Sequence, residues 1–156
     1  MGVHRLELRA HCSAIDDLAV IRNGIKNLVG EDTIITEKVD KSWHGASQTN
    51  LSLEINRKKD VRFVISRLGN KCLSSLLEGD LLSRIDDRNI IHLRLSLAEL
   101  CCGKIEISEP RKREPCVKLK IKLEVYPGQS VEEIANKCLQ DAISENKKKN
   151  RDCSKE

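Results

Sequence analysis

Aromatic residues are nearly absent from this chain of 156 residues: Trp43, Phe63 and Tyr126 are the whole set. None falls at an outward position within a strand pattern. That excludes a sheet that stacks unpaired bases on strand aromatics, as RNA-recognition-motif domains do. Long apolar runs are missing too, and no segment reaches the ~20 apolar residues that a membrane-spanning helix needs. The polar start, Met1 to Leu8, has no signal-peptide core. These absences predict a cytoplasmic protein with no membrane partner.

Catalytic and phosphate-cradling signatures are lacking as well. Gly69-Asn70-Lys71 has no preceding glycine and leaves a helix rather than entering one, so it is not a P-loop. No G-x-S-x-G elbow occurs. The seven cysteines (Cys12, Cys72, Cys101, Cys102, Cys116, Cys138, Cys153) include no C-x-x-C pair, and no histidine stands at finger spacing from them. A structural zinc site is therefore not expected. Most cysteines occupy apolar positions of periodic segments, where a thiol acts as a small hydrophobe and its thiolate is disfavoured. Asp16-Asp17 and Asp86-Asp87 sit at turns and read as helix caps rather than metal ligands. The expectation is a protein that is not an enzyme, with no catalytic residue, cofactor or metal.

What is present is alternation. Val117 to Val125 reads V-K-L-K-I-K-L-E-V, which in a strand puts Val117, Leu119, Ile121, Leu123 and Val125 on one face. Lys118, Lys120, Lys122 and Glu124 take the other face, which is open to water if helices cover only the apolar side. Val3 to Cys12 alternates likewise, with Leu6, Leu8, Ala10 and Cys12 inward. Asp16 or Ser13 caps the following helix, with Leu18, Ile21, Ile25 and Leu28 at helical spacing and Gly30 at its end. Strands are expected at Thr33 to Val39, Asn50 to Asn56 and Asn89 to Leu97, with a loop from Asp40 to Gln48. Val61, Val64, Ile65 and Leu68 mark a helix ended by Gly69, and a leucine-rich helical stretch follows. Pro127-Gly128 forms a turn, and Ser130-x-x-Glu133 opens the closing helix. Residues 1–145 are expected to form a single domain, and 146–156 a basic, disordered tail. The order β-α-β-β-α-β, then strand and helix, predicts an α+β two-layer sandwich: a mainly antiparallel sheet with helices on one face and the other face open.

Net charge is only +4, but it is segregated. Lys41 to Arg67 holds six Lys/Arg against two Asp/Glu, and Lys104 to Lys122 seven against three. Segregated positive charge is the footprint of a nucleic-acid binder, although a solvated face with interleaved charges gives the same count. Without strand aromatics, phosphate contacts would dominate, and binding would follow RNA shape and fall with salt. The candidate phosphate contacts are Arg57, Lys58, Lys59 and Arg62 at the second helix, with Lys41 and His44 in a nearby loop. Arg111, Lys112 and Arg113 form a second basic group, and Lys118, Lys120 and Lys122 a third. Trp43 either stacks on an unpaired base or packs against its own sheet edge.

Four segments lie in an order that resembles one family: Leu8-Arg9-Ala10-His11-Cys12-Ser13-Ala14, Trp43-His44-Gly45, Ile91-His92-Leu93-Arg94-Leu95 and Lys122-Leu123-Glu124-Val125-Tyr126-Pro127. This is the archaeal family described as RNA-binding proteins and predicted exosome subunits. The resemblance runs from the first strand to Pro127, and the chain departs from it where Ala46-Ser47, rather than Asn-Pro, follows His44-Gly45. It implies a fold related to double-stranded-RNA-binding domains and to the ribosomal protein that carries 5S RNA. It also implies RNA, structured or double-stranded, and exosome subunits as partners, and no catalytic residues. The rival reading is a protein–protein interaction module or homodimer that uses the open sheet face, with no direct RNA role.

Overall fold

A computed structural model describes residues 2–13, 17–31, 33–41, 47–79, 81–108 and 116–153, with side chains to residue 148. Five strands form one sheet: β1 (Val3–Cys12), β2 (Thr36–Lys41), β3 (Ser47–Ile55), β4 (Ile90–Ser96) and β5 (Cys116–Leu123). Their order is β2-β3-β1-β5-β4. β1 and β2 both pair antiparallel to β3, with Leu8 opposite Leu53 and Glu37 opposite Leu51. At the other end of the order, the Leu123 N–H donates to the Asn89 carbonyl at 2.9 Å, and the Glu124 N–H to the Gly2 carbonyl at 2.8 Å. The end of β5 thus meets the starts of β4 and β1, so these pairs are antiparallel as well. The chain is an α+β protein with an open antiparallel sheet, as its pattern predicts.

The alternation holds residue by residue. Leu6, Leu8, Ala10 and Cys12 on β1, and Val117, Leu119, Ile121 and Leu123 on β5, are all at most 2% exposed. Val3 is buried out of phase, with His4 and Arg5 between it and Leu6.

Contacts divide the chain into two compact units. One comprises Met1–Arg5, Asn56–His92 and Ile121–Glu156. Here α2 (Lys58–Arg67) and α3 (Asn70–Glu78) each pack on α5 (Val131–Cys153). Val61, Val64, Ile65 and Leu68 are buried at the spacing that the sequence predicts. Gly69 separates α2 from α3 at φ +89, a conformation that L side chains rarely adopt. The other unit comprises Leu6–Ile55 and Leu93–Lys120. In it α1 (Leu18–Val29) packs on the short α4 (Leu97–Cys101). A Cβ on Gly24 would stand 3.1 Å from the Leu100 carbonyl oxygen, tighter than ordinary van der Waals contact, so glycine eases this close approach.

Several boundaries differ from expectation. The cap of α1 is Asp17, whose carboxylate accepts from the N–H of Ala19 at 3.1 Å; Asp16 lies outside the described residues. β2 starts at Thr36 rather than Thr33 and reaches Lys41, because pairing with β3, not apolar alternation, sets its limits: all six residues are exposed. Outside the five strands, Ile107 forms an isolated bridge to Leu95. β5 ends at Leu123, before the turn that carries Pro127-Gly128.

The expected disordered tail is helical from Asn146 to Cys153, as the last two turns of α5. The Asn146 side-chain amide donates to the Ser66 carbonyl at 2.7 Å and to Asn70 Oδ1 at 3.1 Å, which ties this polar stretch to α2 and α3. Residues 154–156 of that tail lie outside the described residues.

Candidate nucleic-acid interface

Four of the candidate cations lie at the start of α2. Arg57 is its extended N-cap residue and is exposed, and no side chain caps the first turn. The N–H groups that open a helix point outward together and carry part of the helix dipole, so this end attracts anions. Asp60 in the same turn offsets part of that attraction.

Lys58 is already matched. Its Nζ donates to Glu124 Oε2 at 2.6 Å, and Tyr126 Oη donates to Glu124 Oε1 at 2.7 Å. The bond from Lys58, and then that from Tyr126, hold the Glu124 carboxyl below its ordinary range. In return the bond to Glu124 raises the Lys58 ammonium and the Tyr126 phenol.

Lys59 is exposed, and Phe63 and Arg67 follow it at successive steps of four on the same helix face. The Arg67 guanidinium carbon lies 5.2 Å from the centre of the Phe63 ring, whose residue is 39% exposed. An aromatic ring between two cations suits an anion that also carries flat bases. The sequence contains this signal, since burial of Val61, Val64, Ile65 and Leu68 turns position 63 outward, on a helix rather than a strand.

Arg62 points elsewhere. It lines a groove of about 290 Å³ that α5 also walls with Lys137, Asp141, Glu145 and Lys148. Three cations and two carboxylates share that rim, so the groove is electrostatically mixed.

Lys118 is exposed, and Lys120 and Lys122 half-buried, at alternate positions of β5 on the face away from the core. On the flanking strands Arg9 of β1 and Arg94 of β4 are exposed at outward positions as well, but acidic residues interrupt the positive surface. In the unit that holds β2, β3 and most of β1, Glu7 stands directly opposite Glu54 on the open face. Beside them His11 Nδ1 donates to Asn50 Oδ1, and Asn50 Nδ2 donates to Asp40 Oδ2 at 3.3 Å. Lys41 closes β2 opposite Ser47, two steps along from the Glu37–Leu51 pair. It therefore shares the side of the strand that faces the apolar core, and it belongs to the other unit from α2. The Trp43 and His44 loop and the Arg111, Lys112 and Arg113 group lie outside the described residues.

His92, from the Ile91 to Leu95 segment, also has a partner. Its Nε2 donates to Asp86 Oδ2 at 2.7 Å, and Asp86 Oδ1 accepts from the N–H groups of Arg88 and Ile90. The histidine bond first, then those backbone bonds, hold the Asp86 carboxyl below its ordinary range. Asn89, at φ 63, completes this tight turn. Among the described residues no cluster of three or more His, Cys, Asp or Glu could hold a metal ion, and no helix is long and apolar enough to cross a membrane.

Comparison with known proteins places these features in context. A family model described as RNA binding matches residues 5–123. The fold is similar to that of Mth689, a DUF54 protein from Methanothermobacter thermautotrophicus: TM-score 0.70, 18% identity, covering 92% of this chain and 99% of that one. It is also similar to the DUF54 protein AF2318 from Archaeglobus fulgidus, with TM-score 0.67, 19% identity and coverage of 85% and 94%. The DUF54 protein SSO0741 from Sulfolobus solfataricus gives TM-score 0.67 at 14% identity, covering 88% of this chain and 98% of that one. No curated protein matches the chain.

Proposed function

The chain belongs to the RNA-binding family, and from that premise we propose that it grips structured RNA by its phosphates, chiefly at α2. The observation that carries this is the uncapped start of α2 among Arg57, Lys58 and Lys59. Backbone N–H groups and side-chain cations there act on one anion together. Arg57 and Lys59 are the principal contacts, while Lys58 is partly neutralised by Glu124. The stripe through Phe63 to Arg67 extends the surface along the helix, and the β5 lysines are auxiliary contacts. His44, Lys41 and the group Arg111, Lys112 and Arg113 complete the proposed set. The resemblance to the family described as predicted exosome subunits supports a setting in RNA processing or degradation, in the cytoplasm and beside exosome subunits. The protein acts as a binding factor in this reading, not as a catalyst.

Anisotropy titration of a labelled RNA hairpin over a range of salt concentrations tests it. About five phosphate contacts give a slope of log K against log salt of roughly −3.5 to −4.5. The double variant Arg57→Glu, Lys59→Glu is expected to lose most binding at low salt and to flatten that slope. Unchanged binding by a folded double variant would refute α2 as the site.

One observation favours a second partner class for a different surface. The facing Glu7 and Glu54 repel phosphate, so that part of the open sheet face suits a protein partner better. Affinity capture with Glu7→Lys and Glu54→Lys variants separates the two: a protein partner is lost while hairpin binding persists.

A further inference from the structure

Among the described residues β2 is the edge of the sheet, next to β3 alone, and each of its six residues is exposed. Its sequence, Thr36-Glu37-Lys38-Val39-Asp40-Lys41, carries its only large apolar side chain in the centre, and Val39 is 67% exposed. An edge strand offers a row of unused N–H and C=O groups to any strand that can lie beside it. We propose that the occupant is a second copy of this chain, paired antiparallel through β2 about a two-fold axis at Val39.

Register selects this pairing. A two-fold axis perpendicular to the sheet keeps the same sides of the two sheets together, so each residue must oppose one from its own side of the strand. Only whole-residue centres satisfy this. Centres at Glu37, Lys38, Asp40 or Lys41 set a charged side chain against its own copy. A centre at Thr36 leaves most of the strand unpaired. At Val39 the residues from Glu37 to Lys41 all find a complement: Val39 meets Val39, Lys38 meets Asp40, and Glu37 meets Lys41, each ionic pair occurring twice. Charges that merely block edge pairing, as lysines on natural edges do, would clash in this register too.

Bonds among the described residues leave these groups available. Glu37 uses Oε1 toward Arg22, and Asp40 uses Oδ2 toward Asn50, so the second oxygen of each carboxylate remains for the neighbour. Exposed ion pairs fix register and partner choice more than affinity. A strand of six residues also makes a small interface, so the dimer is concentration-dependent.

Sedimentation equilibrium of the full chain at low salt, with hydrogen exchange of the β2 amides, tests this. The expected result is a reversible dimer whose formation slows exchange at Val39 and its neighbours. Lys38→Glu turns two attractions into repulsions and is expected to weaken the dimer about tenfold. Adding Asp40→Lys to Lys38→Glu restores it, and Val39→Lys, exposed and so tolerated by the fold, abolishes it. A monomer at every concentration overturns the proposal. So does a dimer that ignores Lys38→Glu and Val39→Lys, or one whose β2 amides exchange as fast as in the monomer. None of these outcomes depends on RNA, so failure here leaves the reading of α2 standing.

Discussion

Glu124 receives a donor from each side, Lys58 on one oxygen and Tyr126 on the other, and this clamp joins the α2 entrance to the end of β5. Its pH behaviour follows from the directions of the shifts. The carboxyl is depressed, so its contribution to stability is present above the ordinary carboxylate range and lost as pH falls through the folded value. The ammonium is raised, so its contribution is lost only as pH rises beyond the ordinary lysine range. Lys58→Met should therefore move the Glu124 carboxyl titration upward, toward the usual ~4.3, as read by carboxyl-carbon NMR. The same variant should weaken hairpin binding less than Lys59→Met, because the Lys58 charge is already matched. Cysteine chemistry separates equally clearly. Cys102 is exposed, whereas burial pushes the Cys72 thiol up to about 11. Brief alkylation of the native protein at neutral pH should label Cys102 and spare Cys72, and unfolding should expose both to mass spectrometry.

At the level of elements, two positions decide how helices meet. Gly24 lets α1 approach the backbone of α4 closely, and a side chain there crowds the Leu100 carbonyl, which must shift to admit it. Gly24→Val should cost about 1–3 kcal/mol in urea denaturation, through overpacking and the β-branched residue in a helix. Asn146 holds the end of α5 to α2 and α3 through two hydrogen bonds. Asn146→Ala should cost about 1–2 kcal/mol, with hydrogen exchange quickening in the last turns of α5. The exposed neighbour Lys147→Ala should stay within about 0.5 kcal/mol. The RNA grip proposed for α2 needs the helix start and its flanking cations together. Charge reversal at Arg57 and Lys59 should cost more than reversal at Lys118 and Lys120, whose strand has no helix end to add.

For the whole molecule, net charge of +4 is too small to attract RNA by itself, so salt dependence should track local cations. Neutralising Lys118 and Lys120 together should reduce the salt slope by no more than roughly 2, one for each phosphate left without its lysine. The α+β class, β1, β5 and the core of α2 were legible because burial of one face imprints a period of two or near 3.6 on the sequence. β2 was not, because an edge strand exposed along its length carries no apolar alternation to read. The end of α5 was equally hidden: its sequence carries no apolar period, and the bonds of Asn146 to Ser66 and Asn70 connect positions far apart in the chain.

The candidate site was legible in part for the same reason. Charge segregation pointed to Arg57 through Arg62 because clustering along the chain survives folding within a single helix. Which of those cations remain available was decided only in three dimensions. Lys58 meets Glu124 and Arg62 lines the α5 groove, while Arg57 and Lys59 stay exposed. The sequence by itself determined the faces of strands and helices, since side-chain direction follows backbone period alone. Tertiary structure decided partners, register and edges, because these depend on residues that the chain brings together from a distance.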